Sequence, residues 1–516
     1  MLTLFTILFT FYYAFPALAN IRFLITGMTL TALLLSSLIA INSLHFQCLG
    51  SGITVLYGSF NVSAATLLLA AFMLILASIM LFSFPIVNNN MAQKYLIVKE
   101  AIISKYNDYF ILALFSTIGS FMLMSATNLI VIYLAVELQS FGVYLLAAMS
   151  KESNSSTSAG LKYFLLGSLA SCIILLGLAL IYASTGLIYL DDIYALYSVS
   201  YNESVLIPVN IGLGLIVIGL LFKIASAPLH FWAPDVYQDT PTIVTMWLTI
   251  MPKIAILLLL LELQTGFSFN DLYSNISIKQ VLLLGSAASL IVGSIMGLSQ
   301  LKLKRLLAYS TISHVGFLLL VLAINSEEST NTLIFYIVQY SLTNLLVFLA
   351  LLHTSYTNES RRELSFNTST GIDLVYITDL RSLIENNFWI AFTLIVCLFS
   401  FSGIPPLPGF FAKQGVLLAA AQESYYFMAL ICILVSTISA TYYLKIIVTI
   451  FSVQTDKHVP SIWHWFGEDI NPRTTIYLAT QAHSYIIATL TVLLCSFIFN
   501  PTPILAATQL VSLSIY

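Results

Sequence analysis

Apolar runs of about twenty residues recur along almost the whole chain, and they limit its possible folds more than any other feature. One membrane-spanning helix needs about 20 apolar residues, and a lipid-exposed backbone must satisfy its own hydrogen bonds, which favours helices. The sequence therefore predicts an all-α polytopic membrane protein with about 14 transmembrane helices. The predicted spans are 2–15, 23–42, 64–84, 109–125, 127–149, 160–185, 209–227, 243–264, 280–298, 305–323, 332–353, 388–418, 425–453 and 482–499.

Composition agrees with a membrane location. Of the 516 residues 59% are hydrophobic and 8% are charged, whereas soluble domains carry about 25% charged residues. The net charge of −3 offers no basic surface, so lipids and not nucleic acids are the expected surroundings. The cysteines lack metal-binding or redox spacing, so neither a metal site nor a disulfide framework is expected. They are Cys48, Cys172, Cys397, Cys432 and Cys495.

Ionisable side chains inside the predicted spans carry the functional signal. A charge at the bilayer centre costs roughly 2.5 kcal/mol or more, so it is expected to face a protein interior or a water-filled cavity. Each such residue could instead serve helix packing. Lys162 lies near enough to a helix end to reach the interface, and His314 fits packing as well as proton transfer. The six candidates are Glu137, Lys162, Lys223, Lys253, Lys413 and His314.

Three of the lysines lie beside prolines. Lys223 precedes Pro228, Lys253 follows Pro252, and Lys413 follows the segment 403–409 with its three prolines. A proline releases backbone carbonyls and creates a polar spot inside the membrane. The sequence therefore predicts that helices seven and twelve are broken. A carboxylate near a buried lysine changes the proton affinity of that lysine, so Glu137 and the lysines could form a proton relay along the membrane plane.

The spacing of these features also indicates an internal duplication. Two groups of spans each end in a helix that combines a lysine with a proline break, a pattern expected for two inverted five-helix repeats. The predicted units are N-terminal helices with an interfacial segment, two repeats, and an interfacial loop with a C-terminal helix. They cover 1–107, 108–264, 280–453 and 454–516. Long loops are predicted at 43–63, 191–209 and 354–387.

Three motifs then resemble signatures of the antiporter-like membrane subunits of respiratory complex I. The first runs from Lys223 to Tyr237 and continues in Thr240-Pro241-Thr242, the second is 302–316, and the third is 403–413. Two features distinguish the chain from other members of that family. Lys413 stands where subunit 4 carries a glutamate, and at 516 residues the chain is expected to lack the lateral helix of subunit 5.

The resemblance implies a role for each buried group. Glu137 would be the acid of helix five and would gate coupling together with Lys162. Lys223 would be the central proton carrier of helix seven, Lys253 the connecting lysine of helix eight, and Lys413 the distal residue of helix twelve. His314 stays a further proton-transfer candidate.

The resemblance also implies surroundings. The chain itself would bind no NADH, flavin, iron–sulphur cluster or metal, while the complex would use NADH, FMN, iron–sulphur clusters and ubiquinone. Its partners would be other membrane-arm subunits, including the neighbouring antiporter-like subunit 4. The composition, rich in Leu, Ile, Tyr, Phe, Ser and Asn, suits a small AT-rich genome such as that of a mitochondrion, and the resemblance then implies the mitochondrial inner membrane.

Three alternatives remain open from the sequence. A subunit of a multi-subunit cation/proton antiporter carries the same lysines, and sodium sensitivity without NADH oxidation would favour it. A subunit of a plastid or cyanobacterial ferredoxin-linked complex is the second. A structural scaffold whose buried charges only fix helix packing is the third, although buried ion pairs are weak sources of stability.

Overall fold

The computed structural model describes most of the chain, in nine stretches. They are residues 2–13, 22–45, 52–83, 96–150, 153–199, 203–267, 277–362, 374–452 and 473–514. Nineteen α-helices occur within these stretches. They are α1 Leu2–Tyr13, α2 Arg22–Ser43, α3 Ala64–Phe82, α4 Leu96–Ser125, α5 Leu129–Ala148, α6 Asn154–Thr185, α7 Leu190–Val199, α8 Glu203–Lys223, α9 Trp232–Asp239, α10 Thr242–Gly266, α11 Ile278–Leu298, α12 Leu303–Ile324, α13 Glu327–Arg362, α14 Leu383–Asn386, α15 Phe388–Ser402, α16 Pro408–Gln422, α17 Tyr426–Phe451, α18 Arg473–Ser496 and α19 Thr502–Leu513.

The helical membrane architecture predicted from the apolar runs is confirmed. Within the described stretches, ten helices are long and apolar enough to cross a membrane: α3 to α6, α8, α10 to α13 and α17. Four further apolar segments are shorter: Gly27–Ser43, Phe388–Ser402, His483–Ser496 and Thr502–Leu513. The exact number of fourteen spans stays a prediction.

Three helices form the interior of the bundle. In the membrane-length parts of α10 and α13, 89% of residues are buried, and in α12 all of them are. In α6 and α17 the buried share is 39%. A helix that is apolar all round is suited to such an interior. The candidates Lys253 and His314 therefore belong to helices that the other helices surround.

Two of the transmembrane segments are interrupted. The first break separates the end of α8 at Lys223 from the start of α9 at Trp232, and Ala225 within it has a positive φ of 61°. The second separates α15 from α16, with Gly403 at a φ of 81°. Pro252 behaves differently, because α10 continues through it from Thr242 to Gly266. The expected breaks near Lys223 and Lys413 are thus present, whereas Lys253 lies on an uninterrupted helix.

Parts of two predicted long loops are helical instead. The segment 191–209 contains α7 and the first turns of α8. Leu190, Ile193 and Tyr197 are buried on one face of α7, a short amphipathic pattern hidden in the sequence by the polar residues around it. In the other loop, α13 extends to Arg362, and the described part resumes with a 3₁₀ turn at Ile377–Leu380.

Smaller differences lie at the surface and the chain ends. The glycine-rich loop 43–63 contains an antiparallel hairpin, β1 Ile53–Val55 paired with β2 Phe60–Val62, so the chain is not purely α. A helix, α19, follows the last predicted span. The interfacial segment 91–107 merges into α4 from Leu96 onward, and its residues 91–95 lie outside the described stretches. Residues 454–472 of the predicted interfacial loop also lie outside them.

Candidate functional site

Lys223 is the last residue of α8 and lies next to the first helix break. Its side chain is 9% exposed, and its Nζ has no hydrogen-bond partner in the described structure. The carbonyls released by the break are bonded locally. The backbone N–H and Oγ of Ser226 both donate to Leu221 O, each at 3.0 Å. Because neighbouring groups satisfy the backbone, the ammonium group of Lys223 remains available for a mobile partner such as water.

Trp232 ties the short helix α9 to this break. Its indole Nε1–H donates to Phe222 O at 3.0 Å, the carbonyl just before Lys223. Its ring stacks on Tyr163 of α6 at 4.6 Å between centroids. Since Tyr163 adjoins Lys162 in the chain, one aromatic side chain links the elements that carry two of the candidate lysines.

Replacement of Trp232 by Phe tests this link. The substitution keeps an aromatic ring but removes the indole donor, so among the described residues Phe222 O keeps only the bond from Ala225 N–H. Loss of one such hydrogen bond costs roughly 1 kcal/mol. We expect a lower midpoint temperature for heat inactivation of the detergent-solubilised protein. Trp389→Phe is the control, because Trp389 is 76% exposed; an equal shift in both variants would contradict the bracing role.

Lys162 pairs with a residue to which the sequence assigned no role. Its Nζ lies 3.2 Å from Asp235 Oδ2 on α9, and Arg305 of α12 approaches the same carboxylate at 3.8 Å. Both side chains of the Lys162–Asp235 pair are about half exposed, so the pair adds little stability. Lys162 forms no ion pair with Glu137 among the described residues, and the joint gating role of these two residues stays a prediction. Asp235 lies inside the first motif, which was the available signal.

Glu137 is the one acid among the candidate residues. It lies in the middle of α5, and its Oε1 is buried without a hydrogen-bond partner in the described structure. Its negative charge acts on the ammonium group of Lys223. The two groups are not in contact as a salt bridge. The influence of Glu137 on Lys223 is therefore electrostatic and acts without direct contact.

Lys253 lies on the inner helix α10 and is 3% exposed. Its Nζ has no hydrogen-bond partner in the described structure and lies 5.7 Å from the ring centre of Tyr237. The face of an aromatic ring attracts a cation without accepting a proton from it. Lys253 therefore has partial electrostatic support inside the bundle and keeps its capacity for proton exchange.

Lys413 reaches across the second break. From α16, its Nζ donates to the carbonyls of Phe401 at 2.8 Å and Ser402 at 2.9 Å, which are the last two residues of α15. These carbonyls carry the partial negative charge of a helix C-terminus, which favours a cation. Gly403 lies beside this contact, since a Cβ there would come within 2.9 Å of Lys413 Cδ. The break thus forms a cradle for the ammonium group.

His314 is held by two tyrosines. Its Nδ1 lies 2.7 Å from Tyr336 Oη on α13, and its Nε2 lies 3.3 Å from Tyr443 Oη on α17. The charges of Lys413 and Lys253 both act on the imidazole. The structure therefore places His314 within electrostatic reach of two candidate lysines that belong to different helices.

One further buried lysine escaped the sequence-based selection. Lys304 of α12 is 6% exposed and donates from Nζ to Thr240 O at 2.9 Å. It fixes the corner between α9 and α10 to the start of α12. The sequence did not indicate this burial, because Lys304 lies near the end of an apolar run. In the described part of the chain no cluster of three or more His, Cys, Asp or Glu side chains has the arrangement of a metal site.

Comparison with known proteins places this arrangement in a family. Residues 126–439 match the family model described as NADH:quinone oxidoreductase/Mrp antiporter, transmembrane. The chain is 42% identical to NADH-ubiquinone oxidoreductase chain 2 of Rhizopus oryzae, covering 95% of this chain and 94% of that one. It is 34% identical to NADH-quinone oxidoreductase subunit N of Paramagnetospirillum magneticum, covering 78% and 76% of the two chains.

A solved structure gives the same result. A chain of respiratory complex I from Thermus thermophilus with bound aureothin is 26% identical, with a TM-score of 0.72 and 98% of each chain covered. The chain therefore belongs to the NADH:quinone oxidoreductase/Mrp antiporter family of transmembrane proteins, and the relatives it matches there are named NADH-ubiquinone oxidoreductase chain 2 and NADH-quinone oxidoreductase subunit N.

Proposed function

We propose that this chain is a proton-translocating subunit in the membrane arm of complex I. The observation that carries the proposal is the burial of Lys223 and Lys253 with ammonium groups that have no hydrogen-bond partner in the described structure. Such groups are expensive in a membrane interior and mark ion or proton pathways there. The family relationship supports the same conclusion.

In this proposal the buried groups act in sequence. Glu137 responds to charge changes that arrive from the rest of the complex, and Lys223 is the central proton carrier. Lys253 passes charge through the inner helices to His314, whose ring the charges of Lys253 and Lys413 both reach. Lys413 exchanges protons at the second break. Lys162 modulates coupling through Asp235, the partner that the structure gives it.

The redox chemistry belongs to other subunits in this proposal. Electrons would pass from NADH through FMN and iron–sulphur clusters to ubiquinone outside this chain. Lysines buried in an apolar bundle are not a ligand set for any of these redox groups. They are suited to proton transfer. The chain would contribute to the oxidoreductase by coupling electron transfer to proton movement.

Partners and location follow from the same proposal. The partially exposed faces of α6 and α17 are available to lipid or to neighbouring membrane-arm subunits, including subunit 4. Resemblance to the chain 2 protein of Rhizopus oryzae supports the mitochondrial inner membrane.

We also propose two inverted repeats as the internal plan, covering 108–264 and 280–453. The support is that each contains one interrupted helix with a residue of positive φ directly after the first segment, near Ala225 and at Gly403. Each also contains one of the two lysines that lie closest to a break. The units 1–107 and 454–516 would flank the repeats.

Native electrophoresis distinguishes the proposal from its main rival, a subunit of a cation/proton antiporter. Membranes that contain the chain are solubilised gently, and the band that carries it is identified by mass and stained for NADH oxidation. We expect a very large band that oxidises NADH. A small band without this activity, together with sodium-dependent proton exchange, would replace complex I with the antiporter.

A further inference from the structure

Two tyrosine hydroxyls bracket His314 in the interior of the bundle. Tyr336 Oη lies 2.7 Å from Nδ1, and Tyr443 Oη lies 3.3 Å from Nε2. The three side chains come from three different helices, α13, α12 and α17. They are almost completely buried, with exposures of 1% for Tyr336, 3% for His314 and 1% for Tyr443. Both ring nitrogens therefore have hydroxyl partners in a site closed to bulk water.

We propose that Tyr336, His314 and Tyr443 form a three-member proton relay, in which the tyrosines position the histidine and exchange protons with it. A neutral imidazole has one N–H donor and one acceptor nitrogen. A hydroxyl both donates and accepts. Two hydroxyls on opposite nitrogens therefore allow a proton to cross the ring while the imidazole stays neutral. The inference deepens the proposed proton-translocating function and rests on it.

The bonds made and broken balance when one proton crosses His314. In the starting tautomer, Nε2 carries the hydrogen and Nδ1 accepts from the Tyr336 hydroxyl. The Tyr336 O–H bond breaks as Nδ1–H forms, and Nε2–H breaks as a new Tyr443 O–H bond forms. A hydronium ion that reaches the far side of Tyr336 gives it one proton and becomes water, and Tyr443 gives its original proton to a water molecule on its own far side, which becomes hydronium. No electrons move, and the ring must regain its starting tautomer before the next passage in the same direction.

Burial makes the neutral route the favourable one. His314 is 3% exposed, so an imidazolium ion there would lose its hydration, and the neighbouring ammonium groups of Lys413 and Lys253 add to the cost of charging the ring. The aromatic packing fixes the two hydroxyls in place: Tyr336 stacks on Phe317, and Tyr443 lies against Phe401. A relay that never charges the ring avoids the cost of an uncompensated buried cation.

The relay also lies next to the Lys413 cradle. Lys413 Nζ is 5.7 Å from the ring centre of Phe317, which stacks on Tyr336. The carbonyl of Phe401 accepts from the same Nζ, and the ring of Phe401 packs against Tyr443. Each tyrosine is therefore one aromatic ring away from the Lys413 ammonium group. The contacts place the relay beside the second break.

Single and double Tyr→Phe variants in the assembled complex test the relay. Tyr336→Phe and Tyr443→Phe each remove one oxygen and keep the ring. We expect either variant to lower proton pumping and NADH:quinone turnover roughly tenfold, and to increase the solvent H₂O/D₂O isotope effect, because proton transfer becomes rate-limiting. The double variant should be no slower than a single one, since the hydroxyls act in series.

Tyr340→Phe is the matched control. Tyr340 lies one helical turn from Tyr336 on α13, and its ring also packs near His314, at 5.2 Å between centroids, but its hydroxyl is not bonded to the histidine. We expect this variant to pump as the unmodified complex does. Equal losses in all three single variants, or a slower turnover with an unchanged isotope effect, would overturn the relay.

Assembly is followed by NADH oxidation with ferricyanide, which reports on the peripheral part of the complex independently of proton movement. If neither Tyr336→Phe nor Tyr443→Phe assembles while Tyr340→Phe does, the hydroxyls hold the fold and the relay is wrong. If both pump normally while a Lys223 variant does not, the relay fails and the proposed function stands. If the Lys223 variant also pumps normally, the proposed function fails with it.

Discussion

Replacement of Lys223 by Met in the assembled complex is expected to abolish most coupled activity. Methionine matches the length of the lysine stem but has no group that can bind a proton. The burial of Lys223 at the end of α8 and the action of the Glu137 charge on it make its ammonium the central titrating group of the proposed route. We expect NADH:quinone turnover and proton pumping to fall by at least roughly tenfold. Proton uptake by sealed vesicles measures the pumping directly.

A second lysine supplies the control for that experiment. Lys445 of α17 is exposed, so Lys445→Met removes the same charge without disturbing a buried site. Its turnover should match that of the unmodified complex. Both variants should retain NADH oxidation with ferricyanide, which shows that the complex is assembled. Normal proton pumping by the Lys223→Met complex would disprove the central-carrier role.

A single methyl group at Gly409 should disrupt assembly. Gly409 lies at the start of α16, where a Cβ atom would come within 1.8 Å of Ser400 O and 2.7 Å of Ser400 C. These are backbone atoms of α15, so no side-chain rotation can relieve the overlap. Forcing the two half-helices apart costs roughly 1–3 kcal/mol or more. We expect Gly409→Ala to reduce the amount of assembled complex on a native gel and to lower its heat-inactivation midpoint.

Gly214→Ala is the control for this substitution. Gly214 lies inside α8, and a Cβ there would meet no atom within 4 Å. Alanine is favoured over glycine in a helix by roughly 0.5–1 kcal/mol, so this variant should assemble at least as well as the unmodified chain. Equal losses for the two variants would show that the overlap with Ser400 does not control assembly.

The sequence predicted the coarse architecture well because apolar runs must become helices in lipid. The same reasoning located the breaks near Lys223 and Lys413, since prolines and glycines there prevent continuous hydrogen bonding. No break was predicted at Pro252, and α10 does continue through it. The effect of a proline depends on whether neighbouring helices support the backbone on both sides. That information is tertiary and is absent from a single helix sequence.

Side-chain partners were less predictable than helix positions. The family resemblance gave Lys162 a gating role together with Glu137 and named no other partner for it. The structure instead brings Asp235 of the short helix α9 to Lys162. Helix α9 lies near α6 only because the chain folds back after the first break, and the sequence does not show this. For the same reason the tyrosines around His314 could not be selected, because they lie 22 and 129 residues away from it in the chain.

The complete burial of α12 affects how the sequence can change over evolutionary time. On a helix that faces lipid, one apolar side chain can replace another, because fluid acyl chains adapt to the new shape. All of the residues in the membrane-length part of α12 are buried against protein atoms, which are packed like a crystal and do not adapt in this way. An apolar substitution that has no effect on α6 would therefore be disruptive on α12, unless a neighbouring helix carries a compensating substitution. We therefore expect single apolar substitutions to be accepted more readily on the outer helix α6 than on α12, where the packing would also have to change in a neighbouring helix.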